Sequence, residues 1–178
     1  MKIRVTIEGT TPFMMHHPRS MNRKATGKKT IPSPQEEAKE ALYWTSDKSS
    51  LMYPAENILR GFVTASRVYK SGKRSITPFV SGSLDVEPPE VSFHTKKYEI
   101  DTRRAIVQRQ GILRSRPVLF PWELSFALVV SDDFPAEATD LLKAIAEECG
   151  RRVGLGDFRP EKSGRFGKFK VVGWEVET

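Results

Sequence analysis

Alternating apolar and polar residues at the start of the chain predict a strand over residues 2–9 that is buried on one side. Ile3, Val5 and Ile7 occupy every second position, with polar residues between them. Because a strand has a side-chain period of two, the three apolar side chains share one face. A similar pattern predicts a core strand near 122–131. Weaker patterns predict strands near 91–99 and 166–176.

Two other segments repeat apolar residues at intervals of three and four, which predicts amphipathic helices near 54–70 and 135–149. Each begins near a proline, which suits a first helical turn, and ends near a glycine, which suits a helix stop. A shorter helix is expected over residues 34–44, where two glutamates follow a proline.

The main elements therefore follow the order β, α, β, β, α, β, which predicts an α+β fold with a ferredoxin-like, RRM-like core. In that fold two helices cover one face of an antiparallel sheet, and the other face stays open for a ligand. We expect one domain over residues 1–178. It carries a long loop insertion at 11–50 and a protruding, thumb-like hairpin at about 99–118.

The net charge of the chain indicates which class of molecule it binds. Lysine and arginine outnumber acidic residues by 29 to 22, which gives a net charge of +7 and favours a polyanion such as nucleic acid. The single cysteine, Cys149, excludes an internal disulfide and a cysteine-rich zinc site. Neither a long apolar span nor the apolar run of a signal peptide is found, so we expect a cytoplasmic protein without a membrane partner or cofactor.

Positive charge is concentrated in three segments. Residues 9–35 contain five basic residues and no acid, and residues 101–117 contain five arginines around Gly111. The third segment, RRVGLGDFRPEKSGRFGKFKVV (151–172), combines four glycines with seven basic residues. We expect the three to converge in one groove on the uncovered face of the sheet. The candidate phosphate contacts by charge are Arg19, Arg23, Lys24, Arg103, Arg104, Arg109, Arg114, Arg159, Lys162 and Arg165.

Each segment also has a simpler interpretation. The glycine-rich segment can be a flexible connection with solvated charges, and the arginines can guard an exposed hairpin edge. The glycines would let the backbone approach a ligand closely. They form neither a Walker loop nor a dinucleotide fingerprint, since GK[ST] is missing and no strand-to-helix order surrounds them.

Two histidines after the first strand, His16 and His17, are the only candidates for catalysis that we single out. A histidine there can act as general base in metal-independent RNA cleavage by the substrate's 2′-hydroxyl. Both residues can equally be polar loop residues. No carboxylate pair has the spacing of a two-metal nuclease, and three histidines make a poor metal site, so no metal ligands are assigned.

Four motifs, in order, resemble the RAMP superfamily of CRISPR-associated proteins, and most closely its backbone subunits. IRVTIEGTTPFMMHH is similar to the family's first strand and ligand-facing loop, and MYPAENILRGFVTASRVY to its IPGSSLKGALRSA helix. IDTRRAIVQRQGILRSRPVLFPWELSFALVV resembles its thumb and a core strand. VGLGDFRPEKSGRFGKFKVV resembles its C-terminal glycine-rich loop and last strand.

The resemblance implies an RRM-like subunit that binds single-stranded guide RNA through the backbone, stacks head to tail and kinks the RNA with its thumb. Two departures weaken a cleaving role. AENILRG stands where the family often has GSSLKG, and the first aspartate of the chain is Asp47, so the loop after the first strand lacks the acid with which some members cut RNA. The matching positions add candidate contacts at Asn57, Arg60, Gly154, Gly156 and Gly164.

Three functions follow for comparison. The leading one is a guide-RNA-binding subunit of a CRISPR-type ribonucleoprotein, with other copies of itself and other subunits as partners. The second is a metal-independent endoribonuclease that uses His16 or His17. The third is a phage single-stranded-DNA-binding protein, separated from the first by whether DNA outcompetes RNA.

Overall fold

The computed structural model describes residues 1–21, 32–107 and 109–177, which form antiparallel sheets together with four α-helices. This confirms the predicted α+β class. The helices are α1 (Pro34–Glu40), α2 (Ala55–Ser66), α3 (Thr77–Ser83) and α4 (Leu141–Glu148). The strands, in chain order, are β1 (Lys2–Gly9), β2 (Phe13–Met14), β3 (Met52–Pro54), β4 (Lys70–Ser71), β5 (Arg74–Ser75), β6 (Leu84–Glu87), β7 (Glu90–Ser92), β8 (Glu99–Val107), β9 (Gln110–Leu119), β10 (Glu123–Val130) and β11 (Phe169–Glu177).

The main sheet has the strand order β11-β1-β10-β6, with all neighbours antiparallel. The predicted strands at both ends of the chain and near 122–131 are confirmed. Ile3, Val5 and Ile7 are at most 1% exposed, and they lie opposite the buried Leu128, Phe126 and Leu124 of β10. The apolar alternation therefore builds a single buried face.

Helices α2 and α4 supply the apolar side chains that pack on this face. Gly61 of α2 allows the close approach, since a Cβ there would lie 2.9 Å from the sulfur of Cys149. Helix α4 is shorter than predicted, because residues 136–138 form a 3₁₀ turn. A single π turn, Cys149–Val153, follows α4 and ends at Gly154, whose φ is +74°.

The prediction of a main-sheet strand near 91–99 is wrong, because β7 ends at Ser92 and β8 begins only at Glu99. Strand β6 pairs with β10 and forms one edge of the main sheet, whereas β7 pairs with β3 in a separate two-stranded sheet. Pro88 and Pro89 separate the two strands, and proline cannot donate to a ladder. His94 has a φ of +53° and follows the end of β7 closely.

The arginine-rich segment forms an antiparallel hairpin of β8 and β9, with Val107 paired to Gln110 and Ile106 to Gly111. The connection therefore lies before Gly111 and not around it, and Arg109 there has a φ of +65°. At its base, β9 also pairs with β2, which joins the hairpin to the loop that follows β1.

The insertion at 11–50 contains β2, a 3₁₀ turn at Pro18–Met21 and helix α1. A capping box starts α1: the Ser33 hydroxyl accepts from the Glu36 amide at 3.2 Å, and the Glu36 carboxylate accepts from the Ser33 amide at 2.9 Å. The helix packs on the hairpin. Among the described residues, none of the helices has the length and apolar character needed to cross a membrane.

Candidate nucleic-acid interface

The uncovered face of the main sheet is acidic, so the expectation that the basic segments meet there is wrong. By register, three basic and six acidic side chains point to this face, a net formal charge of −3. A phosphate backbone would be repelled by this charge. The residues are Lys2, Arg4 and Lys170, against Glu8, Asp85, Glu87, Glu123, Glu175 and Glu177.

The three cations on this face are also paired. Lys2 contacts Glu87 at 2.9 Å, Lys170 contacts Glu8 at 3.3 Å, and Arg4 contacts Glu177. Aromatic side chains are missing from the strand positions that face this way, in the described part of the sheet. An RNA-recognition surface of the kind that stacks bases on a sheet is therefore not built here.

The helix side of the molecule holds a cleft of about 640 Å³, which we call the α2 cleft. One wall is α2, another is the glycine loop (residues 154–168), and the loop after β1 closes one end with His16. Five of the predicted contacts meet in it, together with His16. They are Asn57, Arg60, Gly154, Gly156 and Arg159.

Helix α2 presents a polar stripe to the cleft at the helical spacing of 3, 4 and 3 residues. It consists of Asn57, Arg60 and Thr64 and continues to Arg67, the C-cap residue of the helix; all four line the cleft. We did not predict Thr64 or Arg67. The signal was present in the sequence, because both continue the line that Asn57 and Arg60 begin, opposite the apolar stripe of the same helix.

The arginines of the cleft differ in how firmly they are held. Arg60 pairs with Glu56 at 2.6 Å, one helical turn away, but its side chain is 74% exposed and can exchange that carboxylate for a phosphate. Arg159 is held on two sides, by Glu161 at 2.7 Å and by the carbonyl of Gly156 at 3.1 Å. Arg67 forms no ion pair with a described residue. Arg60 and Arg67 are therefore the cations most available to a ligand.

The glycines of the loop are required by the chain's own packing. Gly154, Gly156 and Gly167 have φ between +72° and +79°, a region that favours glycine. A Cβ on Gly156 would lie 2.5 Å from the carbonyl oxygen of Met14, and one on Gly164 would lie 1.6 Å from that of Phe158. The close backbone approach is thus an intramolecular one, and it folds the loop against residues 12–15.

Two tyrosines form the floor of the cleft. The Tyr53 hydroxyl accepts from the Gly156 amide at 3.1 Å, and burial raises the pKa of Tyr53 to about 12. Burial also raises the pKa of Tyr43, although its hydrogen bond with Asn57 opposes the shift. Both hydroxyls therefore stay neutral near pH 7 and add polarity to the cleft without negative charge.

His16 lies at the end of the cleft, between the carboxylate of Asp157 and the guanidinium of Arg116. Its Nδ1 is 3.3 Å from Asp157 Oδ2, and its Nε2 is 3.2 Å from Arg116 Nη2. Because a carboxylate only accepts, Nδ1 carries the proton and Nε2 accepts from Arg116. Burial raises the pKa of Asp157, but the hydrogen bond from His16 and the charge of Arg116 outweigh it, and the net shift is downward.

This arrangement does not favour His16 as a general base, since both ring nitrogens are already engaged. His17 accepts from the Arg19 amide through Nδ1 at 2.9 Å, and its ring centre lies 4.5 Å from that of Tyr43. Burial and the nearby charge of Arg19 lower the pKa of His17.

In the described part of the chain, histidine, cysteine and carboxylate side chains do not form a group able to hold a metal ion.

Arg114 and Arg116, on β9, are tied to a buried acid. Glu37 of α1 is 6% exposed and accepts from Arg114 at 3.1 Å, Arg116 at 3.3 Å and the Ser115 amide at 3.0 Å. Arg116 thereby links α1 to His16 and to the end of the α2 cleft. Its first role is structural, and Arg114, 41% exposed, is the one of the pair that reaches solvent.

The remaining predicted contacts are dispersed. Arg103 lies 4.6 Å from the ring centre of Phe166 and pairs with Asp101. With Arg165 these three line a second depression, the hairpin-base groove. Elsewhere, the Arg104 guanidinium lies against Gly111, Arg109 stands at the hairpin tip, Lys162 is exposed, and Arg19 donates to the carbonyl of Leu42. Arg23 and Lys24 lie outside the described residues.

No protein-family model matches the chain, and no curated protein matches it. The resemblance to the RAMP superfamily therefore stays a prediction, carried by the four sequence motifs.

Proposed function

We propose that this protein binds single-stranded RNA along the α2 cleft, mainly through the phosphate backbone, as a repeating subunit of a CRISPR-type ribonucleoprotein. One observation carries the proposal. Three segments that are far apart in the sequence line the same cleft: the loop after β1 at His16, the polar stripe of α2 that begins 41 residues later at Asn57, and the glycine loop that begins at Gly154, 87 residues after Arg67.

The chemistry of the cleft suits a backbone ligand. Arg60 and Arg67 offer forked donors that match phosphate oxygens, and Asn57 and Thr64 on the same stripe offer neutral hydrogen bonds to phosphate or ribose. Such contacts hold a strand without reading its sequence, which a subunit coating a guide requires. The path continues past His16 to Arg116 and so reaches the base of the hairpin.

The topology is compatible with a ferredoxin-like, RRM-like core. Strands β1, β6, β10 and β11, taken in chain order, lie in the order fourth, first, third, second. Helix α2, together with the shorter α1 and α3, lies between the first two strands in the chain, and α4 lies between the last two. The proposal differs from RRM-type binding in one respect. The RNA lies on the helix side, because the uncovered face is acidic and has no aromatic platform.

A salt titration of binding tests the proposal. If six phosphates are contacted, log K for a single-stranded RNA of about 30 nucleotides should fall with log[salt] at a slope near −4, since each contact contributes about −0.7. Fluorescence anisotropy between 50 and 400 mM salt measures the slope. Failure to bind at low salt, or a flat response, would contradict the proposal. Tighter binding of single-stranded DNA would favour the phage-type alternative.

A further inference from the structure

Phe158, in the glycine loop, combines an unfavourable backbone conformation with an exposed ring. Its φ is +53°, and its side chain is among the large apolar side chains that remain exposed, at 42%. A bulky residue with positive φ is an outlier, because glycine, asparagine and aspartate occupy this region at much lower cost. Neither local conformation nor burial explains why phenylalanine stands at this position.

The conformation is imposed by the closure of the loop. The Phe158 amide donates to Asp157 Oδ1 at 3.0 Å, and its carbonyl accepts from the Phe166 amide at 3.1 Å. Gly164 packs against that same carbonyl so closely that a Cβ would lie 1.6 Å from the oxygen. These contacts therefore hold the backbone of Phe158 in place, and the exposed ring extends from this fixed backbone.

The surroundings of Phe158 are those of a ligand site. Asp157 and Arg159, on either side in sequence, line the α2 cleft, whereas Phe166, which its carbonyl binds, lines the hairpin-base groove. Phe158 itself lines neither depression, but its sequence neighbours belong to one and its hydrogen-bond partner belongs to the other. Four cationic residues belong to the same loop: Arg159, Lys162, Arg165 and Lys168.

We propose that the Phe158 ring stacks on a base of the bound single strand where the strand passes from the α2 cleft to the hairpin-base groove. This inference rests on the proposed RNA binding. Besides the proposed contacts with the RNA backbone, it adds one contact with a nucleobase. Stacking on an aromatic ring is tolerant of sequence, because every base has a π face. Because the loop already holds the backbone of Phe158, only the ring itself has to be ordered when a base binds, which lowers the entropy cost.

The test compares an RNA strand with an abasic strand of the same length and charge. Phe158→Leu should weaken RNA binding roughly tenfold, within the range measured for single stacked bases, and should leave binding of the abasic strand unchanged. Phe158→Trp should keep RNA affinity, and its fluorescence should be quenched by RNA and not by the abasic strand. Phe120→Leu is the matched control, since Phe120 is 59% exposed but lies outside the glycine loop.

Phe158→Asn separates stacking from folding. Asparagine tolerates positive φ, so this variant should melt no lower than the wild type while losing RNA affinity as Phe158→Leu does. If the Phe158 variants bind RNA as tightly as the wild type, the stacking inference is overturned and backbone binding stands. If the wild type binds neither RNA nor the abasic strand, the proposed function itself fails.

Discussion

Gly167→Ala should leave the chain unable to fold stably, whereas Gly82→Ala should be neutral or stabilising. Gly167 has a φ of +72°, and a Cβ there would lie 1.7 Å from the carbonyl oxygen of Leu155. The backbone of Leu155 cannot move out of the way by a simple rotation, as a side chain can. The left-handed conformation alone costs about 1–2 kcal/mol, and relief of the overlap requires the hydrogen bond from the Leu155 amide to the Gly167 carbonyl, now 2.9 Å, to break.

The control is matched in chemistry and differs in surroundings. Gly82 lies in α3 without positive φ, and nothing stands within 4 Å of the Cβ it would gain, so alanine should gain roughly 0.5–1 kcal/mol of helix stability. Urea unfolding followed by circular dichroism measures both variants. A Gly167→Ala protein as stable as the wild type would show that the glycine loop is not folded against residues 12–15 as described.

Glu37→Ala is the second large effect, and we expect a loss of about 3 kcal/mol in the free energy of unfolding. In the wild type, two arginines and the Ser115 amide donate to the Glu37 carboxylate, which is 6% exposed. The substitution leaves these donors without their acceptor. Removal of one partner from a buried ion pair typically costs about 3–5 kcal/mol, because the remaining charge is left uncompensated.

Glu56→Ala provides the comparison for an acid–arginine pair in solvent. Glu56 and Arg60 are both more than 70% exposed, so this change should alter stability by less than about 0.5 kcal/mol. Chemical denaturation of the two variants under identical conditions gives the difference. Equal losses would mean that Glu37 does not hold the hairpin to α1 in solution.

Local sequence patterns were sufficient for the strands and helices with strong periodicity. The alternation of Ile3, Val5 and Ile7 fixes the buried face of β1, and the period of α2 fixes both its apolar and its polar stripe. The main-sheet strand was assigned to residues 91–99 and not to β6, because β6 has only four residues and lies at the sheet edge. A segment so short carries little pattern, and its place is set by its pairing with β10.

The location of the candidate site was harder to predict, because charge along a sequence does not reveal which charges are already paired. Arg114 was a candidate RNA contact, yet it donates to Glu37, which is 77 residues before it in the sequence. Likewise, each strand of the main sheet shows its own polar residues. The net charge of the uncovered face becomes visible only when the strand register shows which of these side chains share it, and that charge is negative.

The most direct measurement of the central claim compares two double variants that remove the same charge from opposite sides of the molecule. Arg60→Gln with Arg67→Gln empties the α2 cleft of its two available cations, whereas Arg4→Gln with Lys170→Gln removes two from the uncovered sheet face. The salt dependence of RNA binding is then measured for each. The cleft pair should reduce the magnitude of the slope by about 1.4, since two phosphate contacts are lost, and the sheet pair should leave it unchanged. Equal slopes for the two variants, or a larger change for the sheet pair, would contradict an RNA path along the α2 cleft.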